Sequence, residues 1–247
     1  MIDNKVILIL IIMIGITLNS CTKSNNSVKN EQNTHSNIIH QKDIYGKDLI
    51  EIDLEYPKLD EWSNAAHKIN QTITNSIFTK AGLEDITDTT SYKSFFNIAK
   101  THYQQLKKNF QNSASIGMKQ KTRGKISTFT ESILSIYIET YIYTGGAHGM
   151  EYREYLNFDP VSGEQVDILN YVTNKEAFVY LAETKLREKL NMETYDEWSE
   201  HAFLQEFKFP KNIGMTDKSY ILIYNQYELL SYAEGHTEIE IDFIELK

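Results

Sequence analysis

Hydrophobic residues follow two different periods along the first half of the chain. Alternating apolar and charged residues predict a strand over 44–56. Apolar residues spaced three and four apart predict a helix over 59–77, with Trp62 as a core anchor, and a second helix over 91–110. The polar stretch 111–124, rich in lysine, is predicted to be a solvated loop.

The second half of the chain continues this mixture. It predicts strands at 126–143, 165–168, 219–224 and 237–243, and helices after a capping box at 173–176 and over 196–207. One face of the long strand is apolar, whereas the other carries tyrosines that are either half-buried under a helix or open to a partner. This order predicts an α+β fold of two small subdomains, with helices packed on antiparallel sheets.

Residues 1–20 have the character of a signal peptide. Lys5 precedes an apolar run from Val6 to Leu18, which suits a signal sequence and is too short to span a bilayer comfortably. The run ends at Leu18-Asn19-Ser20-Cys21, which resembles a bacterial lipobox, with Asn19 departing from the usual small or aliphatic residue. Cys21 is the only cysteine. We therefore predict that it is lipidated, the alternative being a buried free thiol.

Residues 21–42 are rich in Asn and Ser and offer little to bury, so they are predicted to form a flexible tether. Because no second thiol can form a disulfide with Cys21, the fold must be stabilised by burial alone. The sequence thus predicts an exported protein that is lipid-anchored to the cell membrane or the outer membrane. Its folded part would lie in the periplasm or outside the cell.

Charge narrows the range of partners. The formal net charge of −9 argues against nucleic acid, because phosphates would be repelled, and favours a cationic partner. The chain also contains 16 tyrosines, which suit binding surfaces that are partly wet.

The common catalytic signatures are absent from the sequence, and no pair of histidines has metal-ligand spacing. We therefore expect neither a metal nor a cofactor. His148 is the one catalytic candidate, because it lies between glycines that let a ligand approach the backbone. Two alternatives remain open: His148 closes a structural corner, or it serves an envelope hydrolase together with Glu151 or Asp159.

The stretch around His148 also carries a family resemblance. The residues that fit are Tyr143-Thr144-Gly145-Gly146-Ala147-His148-Gly149, Asn157-Phe158-Asp159, Gly163, Tyr56-Pro57, Ile69-Asn70, Ser132-Ile133-Leu134-Ser135, and a closing hairpin with Tyr227-Glu228, Tyr232-Ala233, Gly235, Ile239, Ile241 and Glu245-Leu246. This pattern resembles the pair of domains of unknown function found in RsiV-type anti-sigma factors. It is similar also to the non-catalytic N-terminal part of PdaC-type peptidoglycan deacetylases.

The resemblance implies two α+β subdomains, at 43–150 and 151–247, joined at a corner formed by Gly145, Gly146 and Gly149. It implies a non-catalytic binding or sensing module whose ligand is a peptidoglycan fragment or a cationic protein such as lysozyme. A structural envelope lipoprotein without a soluble ligand is the remaining alternative. The tyrosines and the histidine near the corner are the predicted binding residues: Tyr141, Tyr143, His148, Tyr152 and Tyr155.

The lipid anchor gives a first testable prediction. A clickable palmitate analogue should label the chain in cells, and Cys21→Ala should abolish the label because the acceptor thiol is lost. Gel fluorescence after the click reaction measures the labelling. Label that persists on Cys21→Ala would contradict lipidation at this residue.

Overall fold

The larger of two β-sheets contains five strands. The computed structural model describes residues 36–47, 49–83, 86, 91–111, 116–193 and 196–247, so the signal peptide, Cys21 and most of the tether lie outside the described residues. The five strands lie side by side in chain order: β1 (Ser36–Tyr45), β2 (Ile50–Leu59), β3 (Met118–Phe129), β4 (Leu134–Tyr143) and β5 (Met150–Phe158). Neighbours are antiparallel except for β2 and β3, which are parallel.

Two helices explain the parallel pair, because they form the crossover between β2 and β3. These are α1 (Asn64–Thr79) and α2 (Tyr92–Asn109), and the hydroxyls of Ser63 and Ser91 cap their first turns. Both helices cover one face of the sheet, which we name the inner face, and their rings Phe78 and Phe95 stack at 4.4 Å in the core. The opposite side is the outer face.

Three sequence predictions fail in this half of the chain. The predicted strand 44–56 is the end of β1, a turn at Gly46 (φ 65°) and most of β2. Residues 36–42, which were predicted as tether, belong to β1. The predicted loop 111–124 contains the start of β3. Its inward-facing residues Gln120 and Thr122 are buried but polar. The sequence of β3 therefore lacks the alternation of apolar and polar residues from which a strand is predicted.

Trp62 is the third failure, because its side chain is 75% exposed. The spacing of three and four that included it began at Leu59, which is the last residue of β2. The sequence also predicts one strand where the structure has two, β3 and β4. The predicted strand 126–143 is divided by a turn at 130–133, where the Thr130 hydroxyl accepts from the backbone N–H groups of Ser132 (3.3 Å) and Ile133 (3.1 Å).

The smaller sheet has three antiparallel strands in the order β6 (Asn212–Met215), β7 (Ser219–Tyr224) and β8 (Thr237–Asp242). Helix α3 (Lys175–Lys189) packs on it, and the Asn174 side chain caps its first turn. The predicted helix 196–207 is only one turn long, α4 (Trp198–His201). Segment 165–168 forms a single bridge to Phe158 followed by a 3₁₀ turn at Ile168–Tyr171. The α+β class with two sheets is confirmed.

The two sheets meet through β5 and β6. The Asn157 amide donates to the Ile213 carbonyl at 2.7 Å, and the Ser135 hydroxyl accepts from the Met215 N–H at 3.1 Å. Beside them Gly214 lies against the ring of Tyr155, where any Cβ would overlap the ring. Because a glycine permits this close approach, β6 lies directly on the outer face of β5.

The division between the sheets falls after Phe158 rather than at residue 150. All nine residues of β5 pair with β4, so β5 belongs to the larger sheet. The glycine corner is therefore the connection between two neighbouring strands of one sheet. Among the described residues, no helix is long and apolar enough to cross a membrane.

The contact between Gly214 and Tyr155 is testable. Gly214→Ala should lower the free energy of unfolding by about 2 kcal/mol, because the added methyl overlaps the Tyr155 ring. In a Tyr155→Ala background the same change should cost much less, since the space is then free. Urea unfolding of the four proteins measures this coupling, and strictly additive costs would show that the two residues do not interact.

Candidate functional site at the glycine corner

The corner at 144–149 connects β4 to β5 and is held by tyrosine hydroxyls. Tyr103 of α2 donates to the Thr144 carbonyl at 3.3 Å, and Tyr143 donates to the Gly146 carbonyl at 3.1 Å. Gly145 and Gly146 have φ values of 102° and 97°, which side-chain-bearing residues rarely adopt. The glycine pair is thus required by the backbone path.

Two aromatic side chains, Tyr141 and Tyr232, contact the backbone of Gly149 at the end of this corner. A Cβ at this position would lie 2.5 Å from the ring of Tyr141, so only glycine lets that ring cover the chain here. The Gly149 carbonyl accepts from the Tyr232 hydroxyl at 2.8 Å and lies 3.1 Å from His148 Nδ1. Because a carbonyl oxygen only accepts, Nδ1 is the donor in this contact.

The ring of His148 lies against the ring of Tyr232, with centroids 4.1 Å apart and planes tilted by 32°, and the ring of Tyr232 lies 6.1 Å from that of Tyr227. Together with Tyr141 these three rings form a surface that we name the aromatic corner. Tyr141 is 41% exposed and Tyr227 is 54% exposed. Tyr227 also has a φ of 67°, a left-handed conformation that is rare for a tyrosine and is often found at functional sites.

The structure separates the five predicted binding residues. Tyr141 and His148 lie at the aromatic corner, with Tyr143 beside them on the outer face of β4. Tyr152 points to the inner face, where it lines a cavity of about 320 Å³ together with Lys80 and His148. Tyr155 lies between the sheets against Gly214, and its burial raises the pKa of its phenol.

Two members of the aromatic corner were missing from the predicted set. Tyr227 and Tyr232 follow β7, about eighty residues beyond the glycines in the chain. The available signal was their place in the closing hairpin of the family pattern. The pattern indicated only that the hairpin belongs to the family fold, because nothing in the hairpin sequence shows that it contacts the glycine corner.

A cluster of charges lies next to the aromatic corner. Arg153 contacts Glu151 at 2.9 Å and Glu139 at 3.6 Å, and its guanidinium donates to the ring of His236. Burial, reinforced by the positive charge of Arg153, lowers the pKa of His236, while the nearby carboxylates of Glu151, Glu238 and Glu139 act in the opposite direction. His236 is thus held neutral as an acceptor.

The hydrolase alternative requires a carboxylate beside His148, and neither candidate is placed there. Glu151 is bound to Arg153. Asp159 follows the far end of β5, where its carboxylate accepts from the N–H groups of Val161 (2.7 Å) and Ser162 (3.1 Å) and shapes a turn. Within the described part of the chain, no three His, Cys, Asp or Glu residues converge as metal ligands.

The net charge of the protein is concentrated in the half that supplies Tyr227 and Tyr232. Residues 151–247 contain 20 Asp and Glu against 9 Lys and Arg, a formal charge of −11. Residues 43–150 contain 12 of each and are neutral. The aromatic corner therefore lies where a neutral and a strongly acidic half of the chain meet.

The fold and the corner define an α+β protein built from two consecutive regions. Residues 45–151 match the family model described as Deacetylase PdaC, and residues 167–243 match a protein family of unknown function, DUF3298. The two matched stretches are thus similar to these two families, which confirms the resemblance seen in the sequence. A search of curated proteins found no match.

Solved structures agree with this assignment. A DUF3298 family protein from Pseudomonas aeruginosa PAO1 is 17% identical, with a TM-score of 0.58 over 85% of this chain and 91% of its own. A DUF3298 family member from Bacteroides fragilis is also 17% identical, with a TM-score of 0.55 over 85% and 90%. At this identity the similarity shows a shared fold.

The charge cluster predicts a specific pH dependence. Because the pKa of His236 is lower in the folded than in the unfolded state, the unfolded chain binds more protons once the pH falls below the ordinary value of 6.5. Stability should therefore fall as the pH is lowered from about 7 through 6.5 towards the folded-state pKa. His236→Gln keeps an acceptor for Arg153 but cannot titrate, so it should show a smaller loss. Identical pH profiles of the unfolding free energy would contradict this assignment.

Proposed function

We propose that this chain is a lipid-anchored, extracytoplasmic binding module without catalytic activity. Its ligand is a component of the cell envelope, either a peptidoglycan fragment or a lysozyme-like cationic protein. The observation that carries the proposal is the aromatic corner, an exposed set of rings to which both regions of the chain contribute. Of the two ligand classes, the charge distribution favours the cationic protein.

The rings of the aromatic corner have the properties of an interface anchor. Tyrosine supplies a large contact area at a low cost in side-chain entropy, and binding energy at interfaces is concentrated in such residues. Tyr232 is fixed by its hydrogen bond to Gly149 and by contact with the ring of His148, so binding needs to order this side chain little further. The backbone of Tyr227 is likewise held by its N–H, which donates to the Leu230 carbonyl at 3.0 Å.

Electrostatics supports a cationic partner. The charge of −11 on residues 151–247 would attract a basic protein over a distance set by the ionic strength. At contact, the exposed faces of Tyr141 and Tyr227 can each accept an Arg or Lys side chain through cation–π interaction. The acidic half of the chain would then steer the partner, and the rings that anchor it would lie where this half meets the neutral one.

The proposal predicts salt-dependent binding to lysozyme by the purified full chain. The affinity should fall steeply between about 0.01 M and about 0.15 M ionic strength, because the Debye length falls from about 30 Å to about 8 Å. Isothermal titration calorimetry over a salt series measures it. Absence of binding at the lowest salt would remove the cationic protein as the ligand and leave glycans to be tested.

A variant locates the interface. Tyr227→Asn removes the ring while asparagine tolerates the left-handed backbone, so it should weaken lysozyme binding about tenfold. The matched control is Tyr180→Asn, which removes a 69% exposed tyrosine from α3. Equal affinities of Tyr227→Asn and Tyr180→Asn would show that the aromatic corner is not the binding surface.

A further inference from the structure

The two edges of the five-stranded sheet differ. At the edge formed by β5, the side chains of Asn225 and Gln226 bond the main chain of Arg153 and Glu151. At the edge formed by β1, the described part of the chain supplies no further strand, and the main chain of β1 bonds no described residue outside β2. β1 is ten residues long. An open edge of this length is a template on which another strand can add.

The hydrogen bonds of β2 show which main-chain groups of β1 point to the open edge. The Leu49 carbonyl accepts from the Met118 N–H at 2.8 Å, so it points to β3. Because main-chain groups alternate in direction along a strand, those of the next residue, Ile50, point to β1 and bond its partner Tyr45. The register of β1 and β2 is regular. The odd-numbered residues of β1 therefore bond β2, and the even-numbered residues direct their N–H and C=O groups to the open edge.

The same even-numbered residues place their side chains on the outer face. Ile39 and Tyr45 pack against the core on the inner face, and side chains alternate along a strand. The outer face of β1 between 38 and 44 therefore carries Ile38, His40, Lys42 and Ile44. The two isoleucines at the ends of this row are 58% and 62% exposed. The two basic side chains between them contact the carboxylate of Asp53 on β2, at 3.3 and 3.6 Å, and so are compensated within the chain.

The spacing of the two isoleucines is self-complementary. When two copies of β1 pair antiparallel with Gln41 opposite Gln41, Ile38 of each copy lies opposite Ile44 of the other. In this register the edge groups of residues 38, 40, 42 and 44 face their counterparts and can form about eight main-chain hydrogen bonds. Sliding one strand by two residues would place Lys42 opposite Lys42 in one direction and opposite Ile38 in the other. The register centred on Gln41 is therefore the favoured one.

We propose that β1 is a dimerisation strand whose partner is a second copy of this chain. The second copy adds its own β1 antiparallel to the open edge, and the two five-stranded sheets become one continuous sheet. The aromatic corner of each copy lies towards the opposite, β5 side of its sheet, so the dimer presents this surface at both ends. Dimerisation itself does not depend on a ligand at the aromatic corner.

Sedimentation equilibrium of the purified full chain over a range of concentrations tests the proposal. Cys21→Ala is present throughout, so that neither a lipid nor a disulfide joins two copies. A reversible monomer–dimer equilibrium is expected, and Ile44→Lys should weaken it about tenfold or more because it introduces a charge into both isoleucine contacts. The matched control is Ile244→Lys, at a position that is 72% exposed and lies after β8, which should dimerise normally. Because Ile44 is exposed in the single chain, its substitution should not lower the free energy of unfolding.

A pair of opposite charges tests the register. Ile38→Glu should weaken dimerisation on its own. Combined with Ile44→Lys it should restore dimerisation, because the carboxylate introduced in each copy then faces the ammonium group introduced in the other. Three results would overturn the proposal: a chain that stays monomeric at every concentration, an Ile44→Lys variant that dimerises as well as Ile244→Lys, or a double variant no better than the single ones. Ile44→Lys should bind lysozyme with unchanged affinity per chain, so the dimer and the proposed function can fail independently.

Discussion

A buried hydrogen-bond relay between the two sheets is the constraint on which the rest of this structure depends. The Ser135 hydroxyl donates to the Asn157 side-chain oxygen at 2.7 Å, and the Asn157 amide donates to the Ile213 carbonyl at 2.7 Å. Ser135 is fully buried and Asn157 is 7% exposed. In such a low-dielectric setting each partner is needed, since removing one leaves the others unpaired. The relay therefore fixes β6 on the outer face of β4 and β5.

Once β6 is fixed, the loop after β7 is brought alongside the free edge of β5. The side chain of Asn225 accepts from the Arg153 N–H and donates to the Arg153 carbonyl, both at 2.8 Å, as a neighbouring strand would. Gln226 accepts from the Glu151 N–H at 3.3 Å. These contacts cover the edge of the sheet and carry Tyr227 and Tyr232 to the glycine corner. The aromatic corner therefore exists only when both regions are joined.

The helices could be predicted from the sequence, because α1, α2 and α3 carry a regular apolar face and a capping side chain. The strands are harder to predict from the sequence. β3 places Gln120 and Thr122 inward, and β6 is only four residues long and includes a glycine, so neither shows the expected alternation. The hydrophobic pattern of a sequence identifies strands whose buried side chains are apolar. It fails for a strand whose buried positions hold polar side chains, as in β3, or a glycine, as in β6.

Only those residues of the candidate site that lie close to the glycines in the sequence could be predicted. Glycines indicate a sharp corner, and Tyr141 and His148 lie in or next to it, so both could be named. Tyr155 alternates with buried positions just as Tyr141 does, yet a second sheet covers it, and alternation cannot distinguish a covered face from an open one. Tyr227 and Tyr232 reach the corner through tertiary contacts made by Asn225 and Gln226, which no periodicity describes.

Hydrogen-exchange footprinting of the full chain with and without lysozyme is the most direct test of the proposed function. The proposed ligand lies on a surface shared by the two regions. Amide exchange in the bound protein should therefore be slower at both 144–151 and 226–236. Unchanged exchange at both segments, or protection confined to other elements such as α3 or β1, would contradict it.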